Sequence, residues 1–112
     1  MVRKPPMGIA LLLAGVALLG QTASTRAQER GDAGRGEAMS LRICVACHAV
    51  RKGKTSVNPL APPFDMIAKT KGVSAIALNV ALLSPHRAMP NIMLEASERA
   101  DLVAYILSLK NN

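Results

Sequence analysis

Aromatic side chains are almost missing from this 112-residue chain, which has one Phe, one Tyr and no Trp. Phe64 and Tyr105 cannot supply much of a core, and the base-stacking aromatics of single-strand nucleic-acid binders are absent. Cysteine is as scarce: Cys44 and Cys47 are the only two, so spending both on a cofactor leaves no disulfide. No apolar run reaches the about twenty residues that a membrane-spanning helix needs. Strand-like alternation, internal repeats and low-complexity tracts are also missing. The coarse expectation is an all-α chain.

What is present is concentrated in Cys44-Val45-Ala46-Cys47-His48. C-x-x-C-H is the attachment pattern of c-type haem. The spacing has a chemical reason. Two thiols form thioether bonds to the two vinyl groups, and the next residue turns its imidazole under the iron as proximal ligand. Competing readings of the pair are a disulfide, a zinc half-site and a thiol-redox couple. Zinc takes four ligands, and only His48 and His86 are left to add. A thioredoxin-like pair belongs in a βαβ neighbourhood, which the sequence lacks. The expected cofactor is one covalent haem c with its iron. The expected chemistry belongs to that iron, and no enzyme activity is expected.

Ahead of the motif stands a segment expected to lie outside the folded domain. Arg3 and Lys4 form a basic start, residues 8–20 are a thirteen-residue apolar run, and Thr25-Arg26-Ala27 offers small residues for cleavage. This is the layout of a secretory signal peptide, residues 1–27, cut after Ala27. The domain is then residues 28–112, in the periplasm, with no membrane span after cleavage. A domain of this size buries a modest share of its surface and needs a staple. The haem is inferred to be that staple. Removing Arg3, Lys4 and Arg26 lowers the formal charge from +7 to +4. That excess suits steering toward an acidic protein partner and is too small to argue for nucleic acid.

Within the domain, residues 28–31 read as a frayed start and Asp32 as the N-cap of a helix running toward the motif. Gly36, Met39, Ser40 and Ile43 fall at helical spacing, with Cys44 and Cys47 on the same side. Gly36 costs about 1 kcal/mol relative to Ala inside a helix. Either the last helix approaches it closely, or Gly34 and Gly36 mark a ragged helix start. Residues 50–63, with Pro59, Pro62 and Pro63, read as loop. Pro63 would open a short helix from Phe64 to about Lys69 as its first residue. A further helix is expected from Ser74 to about Leu82, with Ile76, Val80 and Leu83 on one face. A second loop, residues 84–91, is fenced by Pro85 and Pro90. The last helix begins at Glu95, where Ser or Thr would cap more strongly, and Glu98 suits its N-terminal dipole. Leu102, Tyr105, Ile106 and Leu109 follow at i, i+3, i+4, i+7.

Four methionines lie in the domain: Met39, Met66, Met89 and Met93. Met39 falls on a helix face expected to pack, and Met66 in the short helix. Met89 stands in a loop before Pro90. A loop can place a sulfur over a haem face without bending a helix, and Pro90 lowers the entropy lost on ligation. Thioether ligation is a standard axial choice, so Met89 is the expected distal ligand. Met93 is its near competitor, and gap-filling core is the alternative for each. His86 would instead make a bis-His iron; its loop setting better suits a pocket edge. A proximal histidine donates its other ring nitrogen to a carbonyl. The Ala61-Pro62-Pro63 turn is the natural source, because proline fixes φ and presents a carbonyl rigidly.

Taken together these residues resemble the class I c-type cytochromes, and the resemblance covers essentially all of residues 28–112. Cys44, Cys47 and His48 match the family's haem site. Gly36, eight residues before Cys44, matches the glycine where its first and last helices cross, and Tyr105 the aromatic packed into that crossing. Ala61-Pro62-Pro63-Phe64 is similar to the family's Gly-Pro-x-Leu turn, so the resemblance makes Pro62 the carbonyl partner of His48. Met89-Pro90 is similar to the distal methionine segment. The resemblance implies the cytochrome c fold, with three to five short helices around one covalent haem. It implies a monomeric one-electron carrier with His/Met ligation, serving redox protein donors and acceptors. There are departures: Ala61 replaces the turn glycine, and with no Trp a haem propionate would turn to Asn58, Thr55 or Arg87. Arg51, Lys52, Lys54, Lys69 and Lys71 form either a docking ring for acidic partners or merely a solvated surface. Two other functions remain open: a haem-based ligand sensor with a displaceable Met89, and an electron-transfer subunit of a periplasmic dehydrogenase.

Overall fold

Asp32 starts the first helix as expected, its side chain accepting a hydrogen bond from the Arg35 backbone N–H at 2.8 Å. The structure, a computed structural model, describes Val2 and residues 30–84, 86 and 88–111. Apart from Val2, the expected signal peptide lies outside the described residues.

Helix α1, Ala33–Ser40, ends before the motif and does not run into it. The Arg42 and Ile43 N–H groups both fall back on the Met39 carbonyl at 3.0 Å, and Cys44–Ala46 is a single 3-10 turn. Ile43, Cys44 and Val45 are all weak helix formers, so the chain loosens through i→i+3 bonding there. Helix α2, Phe64–Lys69, follows Pro63, which serves as N-cap and not as first helical residue. Helix α3, Ala75–Leu83, is capped by the Ser74 hydroxyl, which accepts from the Ala77 N–H at 3.1 Å. Helix α4, Ala96–Ser108, manages without Ser or Thr. The Glu98 carboxylate accepts from the Glu95 N–H at 2.8 Å, the reach-back half of a capping box. Among the described residues there are four α-helices and no strand, so the all-α expectation holds.

The core is built on α4. Leu102, Tyr105, Ile106 and Leu109 are all buried, together with Met39, Val50, Phe64 and Leu78. Helix α1 crosses α4 at Gly36, and of the two readings of that glycine the close approach is the one found. Gly31, expected in a frayed start, is also packed: a Cβ there would overlap the Ala100 carbonyl. Ile76, Val80 and Leu83 do share a face of α3, but it points outward, with Ile76 72% exposed. Leu78, 6% exposed, is the residue turned inward. The sequence AIALNVALL is apolar on nearly every side, so its pattern does not choose the buried face.

Tyr105 ties the crossing to the loop. Its hydroxyl donates to the buried Val50 carbonyl at 2.6 Å, across 55 residues of sequence. Tyr105→Phe leaves that carbonyl without its partner and is expected to cost about 1–2 kcal/mol. The urea midpoint reads this directly; an unchanged midpoint would mean the bond adds nothing to stability.

Candidate functional site

The 3-10 turn and the three later helices enclose a cleft of about 380 Å³. Cys44, Cys47 and His48 line one side of it. Phe64, Ile67, Leu78 and Leu82 supply hydrocarbon from α2 and α3, and Leu102 and Ile106 do so from α4. Met89, Pro90 and His86 line it from the second loop.

His48 is held from behind. Its Nδ1 lies 2.7 Å from the Pro62 carbonyl oxygen. A carbonyl only accepts, so a hydrogen bond there requires the proton on Nδ1, and Nε2 then keeps its lone pair. The loop that carries Pro62 is fastened to the motif and to Ala49, the residue after it, by three bonds. The Asn58 N–H donates to the Cys47 carbonyl at 3.1 Å, the Phe64 N–H to the Ala49 carbonyl at 2.9 Å, and the Ala49 N–H to Ser56 Oγ at 2.9 Å. At its tip the Gly53 N–H donates to Asp65 Oδ2 at 3.0 Å. That bond is the main reason the Asp65 carboxyl sits below its ordinary value. The φ of Ala61 is not positive, so the turn does not require a glycine there. Asn58 shapes this turn by accepting from the Leu60 N–H at 2.9 Å.

Cys44 and Cys47 are half-buried free thiols. Burial pushes the Cys44 thiol up, away from the reactive thiolate that a redox pair needs. Among the described residues no three His, Cys, Asp or Glu side chains gather where they could hold a bare metal ion, so a zinc half-site finds no completing donors.

The methionines separate by position. Met39 is buried in the core, while Met66 and Met93 are 59% and 84% exposed. Of the four in the domain, Met89 is the one that lines the cleft beside His48. His86 reaches the same cleft but is exposed. Asn58 lines the cleft, Thr55 does not, and Arg87 lies outside the described residues. Arg51, Lys52, Lys54, Lys69 and Lys71 are all exposed. Arg51 is engaged with Glu37, its Nε lying 3.2 Å from the carboxylate.

Three features of the site's support escaped the sequence: the Gly31 contact, the Arg35–Asp101 pair between α1 and α4, and Arg99 of α4. The pair and Arg99 act between elements far apart in the chain, and no local pattern marks them. The glycine five residues before Gly36 was the one available sign.

A flat, largely apolar macrocycle with a central iron fits these residues. The cleft has the size of a small-molecule cofactor site, its walls are mostly hydrocarbon, and the sulfur and imidazole groups on it are two thiols, the imidazoles of His48 and His86, and a thioether. No protein-family model matches the chain, and no solved structure does. A curated relative does match: cytochrome c-552 of Bradyrhizobium diazoefficiens is 35% identical over 101 residues, covering 89% of this chain and 97% of the relative. Likeness along nearly the full length of both chains places this one among the small c-type cytochromes, electron-transport proteins whose redox chemistry is that of the iron in a covalently bound haem c.

Proposed function

We propose that the chain is a periplasmic one-electron carrier whose haem is bonded through Cys44 and Cys47, with His48 as proximal and Met89 as distal iron ligand. When bound, the haem supplies a reversible one-electron couple. The chain's own residues do the rest. The Pro62 carbonyl holds the His48 ring in the Nδ1–H tautomer and keeps Nε2 directed to metal. The Met89 thioether is a soft donor, which favours the reduced ion and raises the potential. The hydrocarbon that α2, α3 and α4 present to the cleft would limit the access of water to a bound haem. With His48 and Met89 both given to the iron, no position would be left for substrate, which supports a carrier over an enzyme. The observation that carries this reading is that Cys44, Cys47, His48 and Met89 all line one apolar cleft.

Residues 1–27 are the export signal in this reading and residues 28–112 the carrier domain. The support is the basic start, the thirteen-residue apolar run and the small residues before Gln28. Among the described residues no helix is long and apolar enough to cross a membrane. The carrier works as a monomer that docks briefly on acidic redox partners. The exposed Lys52, Lys54, Lys69 and Lys71 support that choice; Arg51, occupied by Glu37, adds less.

The test is optical. The oxidised holoprotein should show a weak sulfur-to-iron band in the far red, lost in Met89→Ala together with a drop in potential. Survival of the band in that variant would move the distal sulfur to another methionine.

A further inference from the structure

Arg99 lies in α4, half-buried. Its Nη1 donates to the Leu94 carbonyl at 2.5 Å and its Nε to the Asn79 side-chain oxygen at 3.1 Å. Asn79 is in α3, before the loop that carries Met89; Leu94 comes after it. One guanidinium therefore joins the two ends of the segment. Among the described residues the loop's one internal backbone bond is long, from the Met89 N–H to the His86 carbonyl at 3.4 Å. Ala88, next to Met89, has φ +60. A residue with a Cβ adopts that conformation at a cost, and keeps it only where the surroundings hold it.

We propose that Arg99 is a positioning residue: by clasping Leu94 to Asn79 it closes the loop and keeps Met89 over the cleft. It thereby sets how readily the Met89 sulfur gives way to an external ligand. The proposal rests on the reading of Met89 as distal ligand. The physical reason is a population argument. With the Met89 sulfur in place an external ligand binds only when the opened loop has withdrawn that sulfur, so its apparent affinity is its intrinsic affinity scaled by the opened fraction. Opening the loop must break a charge-assisted bond to Leu94 and a bond to Asn79. Lysine does not replace this, because one ammonium cannot reproduce the fork that meets both partners.

The experiment is an imidazole titration of the ferric holoprotein, followed in the visible spectrum. In Arg99→Gln the apparent Kd should fall about tenfold, the ratio that loss of one such bond implies. The haem spectrum and helicity without imidazole should be unchanged. Asn79→Ala should move the Kd in the same direction by less, and it carries the test if Arg99→Gln does not fold. Arg99→Lys should resemble Arg99→Gln; a parent-like lysine variant would make charge the cause and overturn the clasp. An unchanged Kd in both Arg99→Gln and Asn79→Ala would overturn it too. Met89→Ala keeps the two readings apart. It should bind imidazole tightly, and adding Arg99→Gln to it should change nothing further. If Met89→Ala binds imidazole no better than the parent, the ligand assignment has failed, and not the clasp alone.

Discussion

A Gly36→Ala chain is expected to melt at least about 10 °C below the parent, a loss of about 2–3 kcal/mol for a domain of this size. The reason is what the new methyl group would meet. A Cβ on Gly36 would lie 2.6 Å from the Asp101 carbonyl carbon and 2.8 Å from Tyr105 Cβ, and would overlap the Asp101 oxygen itself. Two of these three atoms are backbone of α4, so no side chain can swing aside. Helices α1 and α4 would have to separate. That movement also pulls on the bond from Tyr105 to Val50, and so on the start of the loop that brings Pro62 to His48. Thermal unfolding of the holoprotein measures the effect, and a melting point within about 3 °C of the parent would show that the crossing yields cheaply.

Replacing Asp101 with asparagine should cost about 2 kcal/mol at neutral pH and progressively less in acid. Asp101 is buried on α4 and accepts from the Asp32 N–H at 2.6 Å and from Arg35 Nε and Nη2 at 2.8 and 3.1 Å. Arg35 holds the Asp101 carboxyl below the ordinary carboxylate range, the Asp32 N–H adds to the shift, and burial opposes it. The Arg35 side chain is 68% exposed, so water screens the ion pair; the loss comes from the asparagine NH2 set against the Arg35 Nε–H, donor facing donor, and from the weaker acceptance of the Asp32 N–H by a neutral oxygen. A lowered folded value means that the unfolded chain takes up the proton first. The contribution is complete above the unfolded carboxylate value near about 4, and is lost as pH falls through that value toward the folded one. Urea unfolding at several pH values should therefore show parent and Asp101→Asn far apart at pH 7 and converging in acid. A slope remains in the variant, because Asp65 is lowered in the same sense by the Gly53 N–H. Parallel profiles would remove Asp101 from the acid response.

Much of the site was legible because its donors follow chain-local rules. Cys44, Cys47 and His48 fall within five consecutive residues, Pro62 lies in a proline-marked turn, and Met89 precedes a proline in a loop. The helices were legible for a similar reason. Asp32 and Ser74 are side-chain caps, and the apolar stripe of α4 has a single buried side. Where a segment was apolar on every side, as in α3, pattern could not decide which face turns inward. Where a short-range signal competed with packing, as at Gly31, packing prevailed.

By itself the sequence determined the all-α class, the haem motif, the candidate ligands and the approximate helix positions, since each depends on residues close together in the chain. Only the tertiary structure decided that Gly31 and Gly36 both lie against the backbone of α4, and that of the four domain methionines Met89 is the one lining the cleft that holds His48. It also decided that Asp101 anchors α1 and that Arg99 bonds Asn79 and Leu94, on either side of the loop that carries Met89. Those outcomes depend on which distant segments meet, and on the buried volume and hydrogen-bond partners found there, which no local spacing specifies.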